Sequence, residues 1–227
     1  LHQTADMNVR GASTSFSSDN NYLAQTTDGT IWVTDGTSVW YSADAESWTE
    51  IDSTVNGATH NFTGIATFGN SLYLITKDGT SSSQLIYYDG STWTELNNSQ
   101  TSNGGLTGIW FVKNTLWITG NDGTAEHVWD INPFDSWSAS NLAVADAIIE
   151  VEPTHTITDI VDAGAAVLAA STDGNIYSFK LSSGIFVNQG QSTIPFEEVH
   201  SLAASEGIIF FGTKENTRNI GRLYRAE

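Results

Sequence analysis

The chain repeats itself about every 45 residues, and that period restricts its possible folds more than any other feature. Trp48-Thr49-Glu50-Ile51 returns as Trp93-Thr94-Glu95-Leu96, and Thr63-Gly64-Ile65 returns as Thr107-Gly108-Ile109. Asp35-Gly36, Asp78-Gly79, Asp122-Gly123 and Asp173-Gly174 mark successive units in the same way. A chain of 227 residues holds about five such units, and a repeat of roughly 40–50 residues is the size of a propeller blade.

Each unit reads as four short strands separated by turn residues. The first runs Tyr22–Thr27, Thr30–Thr34, Ser38–Ala43 and Ser47–Ile51, and the second Phe62–Phe68, Ser71–Thr76, Gln84–Asp89 and Thr92–Leu96. The third runs Leu106–Val112, Thr115–Thr119, Glu126–Asn132 and Asp135–Ser140. After an acidic connection, Asn141–His155, the fourth runs Thr156–Val161, Ala165–Ala170, Asn175–Lys180 and Ile185–Gln189. Asp-Gly and Gly-Asn join strands well because both residues tolerate positive φ, which suits the strand twist. The fifth unit has three strands, Val199–Ala204, Gly207–Gly212 and Asn219–Arg225, while residues Leu1–Asn20 precede the first unit without forming one. An all-β protein avoids an unpaired edge. The expectation is therefore an all-β, five-bladed β-propeller of four-stranded antiparallel blades. Residues 1–20 form an arm and closing strand (Asp6–Arg10 or Ala12–Ser17), and residues 21–227 the propeller, together a single domain.

Tyr41-Ser42-Ala43-Asp44-Ala45-Glu46-Ser47-Trp48 and Tyr88-Asp89-Gly90-Ser91-Thr92-Trp93 resemble the Asp-box and related propeller repeats, with Asp135-Ser136-Trp137 a weaker echo. The resemblance implies a turn-shaping motif, a propeller fold and an extracellular setting, and no activity. Leu1 in place of an initiating Met is also what a processed secreted chain would show.

Charge and composition narrow the function. Eight Lys+Arg against 26 Asp+Glu leave a net charge of −18, which repels nucleic acid and anionic lipid. No apolar run approaches the roughly 18 residues of a membrane span. With no cysteine, disulfides, thiolate nucleophiles and cysteine-ligated metals are excluded. The basic residues gather at one end, where Lys214, Arg218, Arg222 and Arg225 fall in the last 14 residues.

Several candidate sites read better as structure. Trp48, Trp93, Trp137 and Phe186 recur once per blade, as residues packed between sheets do. Trp32, Tyr73 and Trp117 are better placed to stack on sugars, yet a propeller sheet is packed on both faces. His60 and His155 occupy equivalent positions in non-adjacent blades and lack metal-ligand spacing. The Asp-Gly loops lack the closely spaced acids of a calcium loop. A five-bladed glycosidase needs carboxylates on inner strands, and only Asp159, Asp162, Glu197 and Glu198 qualify, all on one side of the ring. No catalytic residue, cofactor or metal is expected. Asn61 and Asn97 open N-glycosylation patterns.

What remains is a non-enzymatic extracellular scaffold, a surface or fibre subunit that assembles with copies of itself. The contacts would be made by the N-terminal arm, including Arg10, and by the basic last blade with Lys214, Arg218, Arg222 and Arg225. The alternative is a glycan-binding adhesin or lectin-like propeller; a glycoside hydrolase ranks third.

Overall fold

The structure, a computed structural model, describes residues 22–51, 54, 60–77, 83–97, 105–121, 125–132, 149–151, 155–182, 185–195, 197–205, 207–215, 217–218 and 220–226. Among them are nineteen strands in five antiparallel sheets. The first sheet holds β1 (Tyr22–Gln25), β2 (Ile31–Thr34), β3 (Val39–Ser42) and β4 (Thr49–Ile51). The second holds β5 (Phe62–Phe68), β6 (Ser71–Thr76), β7 (Leu85–Tyr88) and β8 (Trp93–Asn97). The third holds β9 (Gly105–Val112), β10 (Thr115–Asn121), β11 (Glu126–Ile131) and β12 (Ile149–Val151). The fourth holds β13 (Ile157–Asp162), β14 (Val167–Ser171), β15 (Asn175–Ser182) and β16 (Ile185–Thr193). The fifth holds β17 (Glu197–Ser205), β18 (Ile208–Glu215) and β19 (Ile220–Ala226). Strand order follows the sequence in each sheet, each strand pairing antiparallel with the next along the chain, as hairpin connections do.

The sheets meet through four apolar seams. Trp32 of the first packs with Phe62, Ile65, Leu72 and Leu74 of the second. Ala66, Tyr73, Ile75 and Leu85 of the second meet Leu106, Ile109 and Ile118 of the third. Trp117 and Val128 of the third meet Ile160, Tyr177, Phe179 and Phe186 of the fourth, and Leu168 and Ala170 of the fourth meet Val199 and Leu202 of the fifth. Alternate residues of a strand face opposite ways, so each sheet can serve two seams. Among the described residues, no buried apolar cluster joins the fifth sheet to the first.

Two sequence features have a packing explanation. In the second to fifth sheets the inner strand carries one extra residue, a β-bulge, at Thr63, Thr107, Thr158 and His200. The recurring Thr-Gly-Ile thus holds the bulged residue, a residue at close approach and a seam residue. A Cβ on Gly64 would lie 3.0 Å from Ile109 Cγ2 across the seam. Gly174 is more tightly constrained. Its φ is +82°, and a Cβ would sit 2.4 Å from the Glu197 carbonyl oxygen and 2.7 Å from that of Ile194. Gly174→Ala is expected to cost about 2–3 kcal/mol through backbone strain and this clash, read from a denaturant midpoint; a change below about 0.5 kcal/mol would contradict the close approach.

The outer strand of the third sheet departs from expectation. It is Ile149–Val151, paired with β11 through Glu126↔Val151 and Val128↔Ile149, from the stretch read as an acidic connection. The expected Asp135–Ser140, including Trp137, lies outside the described residues. Ile149-Glu150-Val151 alternates apolar and polar, and Ile149 packs into the Trp117 seam, so burial sets the register of this strand on β11. The expected closing strand within residues 1–20 also lies outside the described residues.

Candidate interaction surface

Register makes the sheets comparable residue by residue. Leu23, Ile65, Ile109, Ile160 and Leu202 occupy one position, opposite Val33, Leu74, Ile118, Ala169 and Phe211. Ile65, Ile109, Ile160 and Leu202 each face the preceding sheet. The four later residues are 2–8% exposed, whereas Leu23 is 56% exposed. The next position on the second strand faces the following sheet: Trp32, Tyr73, Trp117, Leu168 and Phe210. The first four are buried, while Phe210 is half-buried. The outward faces of the first and fifth sheets therefore carry seam residues that, unlike their equivalents, are left in solvent. The first sheet's face is not bare, since Val33 is buried there.

Cross-strand pairing fixes the neighbours of these residues. On the fifth sheet, Gly212 lies opposite Leu223, Phe210 opposite Arg225 and Lys214 opposite Gly221, so Phe210, Lys214, Leu223 and Arg225 share the outward face. Leu223 is 76% exposed, and Lys214 and Arg225 are exposed. On the first sheet, Leu23, Val33, Trp40 and Glu50 form one cross-strand row.

The basic residues expected at contacts divide between two faces. Arg222 points inward with Thr213, its cross-strand partner, and makes ion pairs to Glu197 and, at 2.6 Å, to Glu215. Thr213 and Tyr224 also donate to Glu197; these hydrogen bonds, led by that of Thr213, hold its carboxyl below the usual range. Arg218 lies 3.6 Å from Glu215. Lys214 and Arg225 are on the outward face, and Arg10 lies outside the described residues. Asn61 is exposed before β5, and Asn97 ends β8, with Asn98 and Ser99 outside the described residues.

The carboxylates considered for glycoside hydrolysis are engaged in structural bonds. Asp159 Oδ2 accepts from the Leu202 amide at 2.8 Å across a seam, Asp162 pairs with Lys113 at 3.1 Å, and Glu198 with His200 at 2.9 Å. Trp32, Tyr73 and Trp117 are core residues and cannot stack on sugars. Trp93 and Phe186 pack in seams as expected, Trp93 stacked on Phe62 and Phe186 against Trp117. His60 is buried 6.3 Å from the Phe62 ring, and the described residues contain no group of ligands able to hold a metal. Asp44 and Asp89 shape turns: Asp44 Oδ1 accepts from the Glu46 and Ser47 amides at 2.8 Å, and Asp89 Oδ1 from the Ser91 and Thr92 amides. The amide bonds of Ser47 and Glu46 bring the Asp44 carboxyl down to about 2.

Sequence reading missed one buried acid. Glu126 is fully buried at the start of β11 and accepts from Thr107 Oγ1, whose hydroxyl lies 2.8 Å from that of Thr119. Its Oε2 is buried with no hydrogen-bond partner among the described residues. Burial pushes its carboxyl up to about 7, against the lowering effect of the Thr107 bond. The available signal was Glu126-His127 set in front of the apolar Val128-Trp129 on a third strand.

Comparison with known proteins places the fold. No protein-family model matches the chain, and no curated protein does. It is similar to the extracellular domain of a hybrid two-component system from B. thetaiotaomicron (17% identity, TM-score 0.62), covering 89% of this chain and 27% of that one. It is also similar to virginiamycin B lyase from Staphylococcus aureus (18%, 0.57), with 89% and 68% covered, and to YCF48 bound to a D1 peptide (13%, 0.54), with 89% and 67% covered. The chain thus spans about a quarter of the first and about two-thirds of the other two. At these identities the likeness concerns fold alone: an all-β, propeller-like stack of antiparallel sheets.

Proposed function

We propose that the protein is a non-enzymatic extracellular scaffold, a surface or fibre subunit that works by protein–protein assembly. One observation carries this reading: among the described residues the fifth sheet ends on β19, which is exposed along most of its length, whereas β11, the third strand of its sheet, is largely buried and covered by β12. A bare strand edge is a template for another strand. Residues 1–20 supply that strand, closing the propeller in their own copy or joining a neighbour, and the exposed basic residues of the fifth sheet meet acidic surface. The Asp44 and Asp89 turns support an Asp-box-like repeat, and the extracellular half of the reading draws on the neighbour that is itself an extracellular domain.

Electron microscopy of the purified chain, with and without residues 1–20, tests it. Oligomers or fibres are expected from the full chain and their loss, or loss of folding, from the shortened one. Discrete monomers unaffected by the deletion would remove the scaffold reading.

A further inference from the structure

We propose that Glu126 is a proton-operated latch on the outer strand of the third sheet: when neutral it lets β12 lie on β11 at the seam with the fourth sheet, and when ionised it releases β12. The device is independent of the scaffold reading. Glu126 is two residues before Val128 on β11, so its side chain shares the face that packs in the Trp117 seam beside Ile149. Repetition shows that an acid is out of place there. Opposite Thr34, Ile75, Thr119, Ala170 and Gly212 the third strands carry Val39, Leu85, Val128, Ile176 and Leu223. Two residues before these stand Thr37, Ser83, Glu126, Gly174 and Gly221. This position presses on the start of the next sheet: Ser83 Oγ fills the space of a Cβ on Gly105, and a Cβ on Gly174 would meet the Glu197 carbonyl. Four sheets keep it small and neutral, and the third puts a carboxyl in it.

That carboxyl is half satisfied. It is fully buried, and one oxygen accepts from Thr107, whose hydroxyl lies 2.8 Å from that of Thr119. Oε2 has no hydrogen-bond partner among the described residues. A neutral acid tolerates such a site, whereas a charge in it needs a counter-ion or water. Among the described residues β9, β10, β14 and β16 carry no titratable group. On β11 itself His127 points to the opposite face, near Trp129, and Asp130 at the far end accepts from the Phe186 amide. On β12 Glu150 is paired in register with His127. On β13 Asp159 is turned to the Leu202 amide and Asp162 to Lys113, and on β15 the Tyr177 hydroxyl lies 3.3 Å from Asp173. With no cation on its face, the ionised carboxylate must draw water in. Burial holds the proton on, pushing the carboxyl up to about 7. The element that gives way is β12, an edge strand of three residues whose Val151 is paired with Glu126 itself. The other neighbour, β10, has seven residues and a paired strand on each side. Short edges open at much lower free energy than whole sheets.

Hydrogen exchange of the full chain, compared at about pH 5.5 and about pH 8 and corrected for the intrinsic pH dependence of exchange, tests the latch. Protection of residues 149–151 is expected to fall roughly 30-fold between the two, the ratio given by a carboxyl at about 7 when docked and at its ordinary 4.5 when released. Protection of β6 and β14 is expected to hold. Glu126→Gln should keep residues 149–151 equally protected at both values; if circular dichroism shows it unfolded, Glu126→Thr, which installs the residue found at position 37, takes its place. Unchanged protection of residues 149–151 in the wild type overturns the latch. So does a loss shared equally by β6 and β14, since the charge would then weaken the whole fold. A loss that persists in the variant assigns the response to another group and overturns the role of Glu126.

Discussion

Glu126→Gln is expected to flatten the pH dependence of stability between about pH 4.5 and 7. The carboxyl titrates near its ordinary value of 4.5 when unfolded and at about 7 when folded. Because the folded value is the higher one, the folded state holds the extra proton in that window, and stability falls as pH rises. Below about 4.5 the group is neutral in both states and imposes no penalty; above about 7 it is charged in both and the penalty is complete. The shift corresponds to a penalty on the order of 3 kcal/mol. Glutamine preserves the acceptor for Thr107 but places an amide N–H₂ where Oε2 has no partner, a cost of about 1–3 kcal/mol. The stability curves of wild type and variant should therefore converge, or cross, as pH rises from 5 to 8. Parallel curves in urea titrations at those two pH values would show that Glu126 is not buried as described.

Trp117→Ala should cost more stability than Gly174→Ala or Phe210→Ala. Trp117 is fully buried in the seam between the third and fourth sheets. Its ring centroid lies 4.9 Å from that of Phe186 and 5.3 Å from that of Phe179. Truncation of a buried Trp costs about 3–5 kcal/mol, and here it also removes the donor from Nε1 to the Val112 carbonyl at 3.2 Å. Phe210→Ala at the equivalent place in the fifth sheet should cost under about 2 kcal/mol in the monomer, since its ring is already half in solvent. Urea unfolding of the two variants side by side measures the difference; equal losses would mean that the fifth sheet's outward face is covered after all.

The sheets were legible because two local rules agreed. Alternation placed Leu72, Leu74, Leu116 and Ile118 in one phase and Tyr73 and Trp117 in the other, and turn dipeptides cut the strands apart. The third sheet shows where the local rules fail. Asp135-Ser136-Trp137 carries the repeat's vocabulary, yet Ile149 and Val151 form the edge, because pairing with β11 and burial against Trp117 decide the register. The basic end of the chain was equally visible as composition, but its division was not: Arg222 turns inward to Glu197 and Glu215, and Lys214 and Arg225 lie on the outward face.

By itself the sequence determined the period, the five units, the turn residues and the all-β class, since each rests on backbone preference and on contacts within a few residues. Tertiary structure alone decided which repeats are satisfied. Leu23 reads like Ile65, Ile109 and Ile160, and Phe210 like Trp32 and Tyr73, until solvent exposure separates them. Burial depends on the neighbouring sheet, and for the first and last sheets of the stack no local rule can say what that neighbour is.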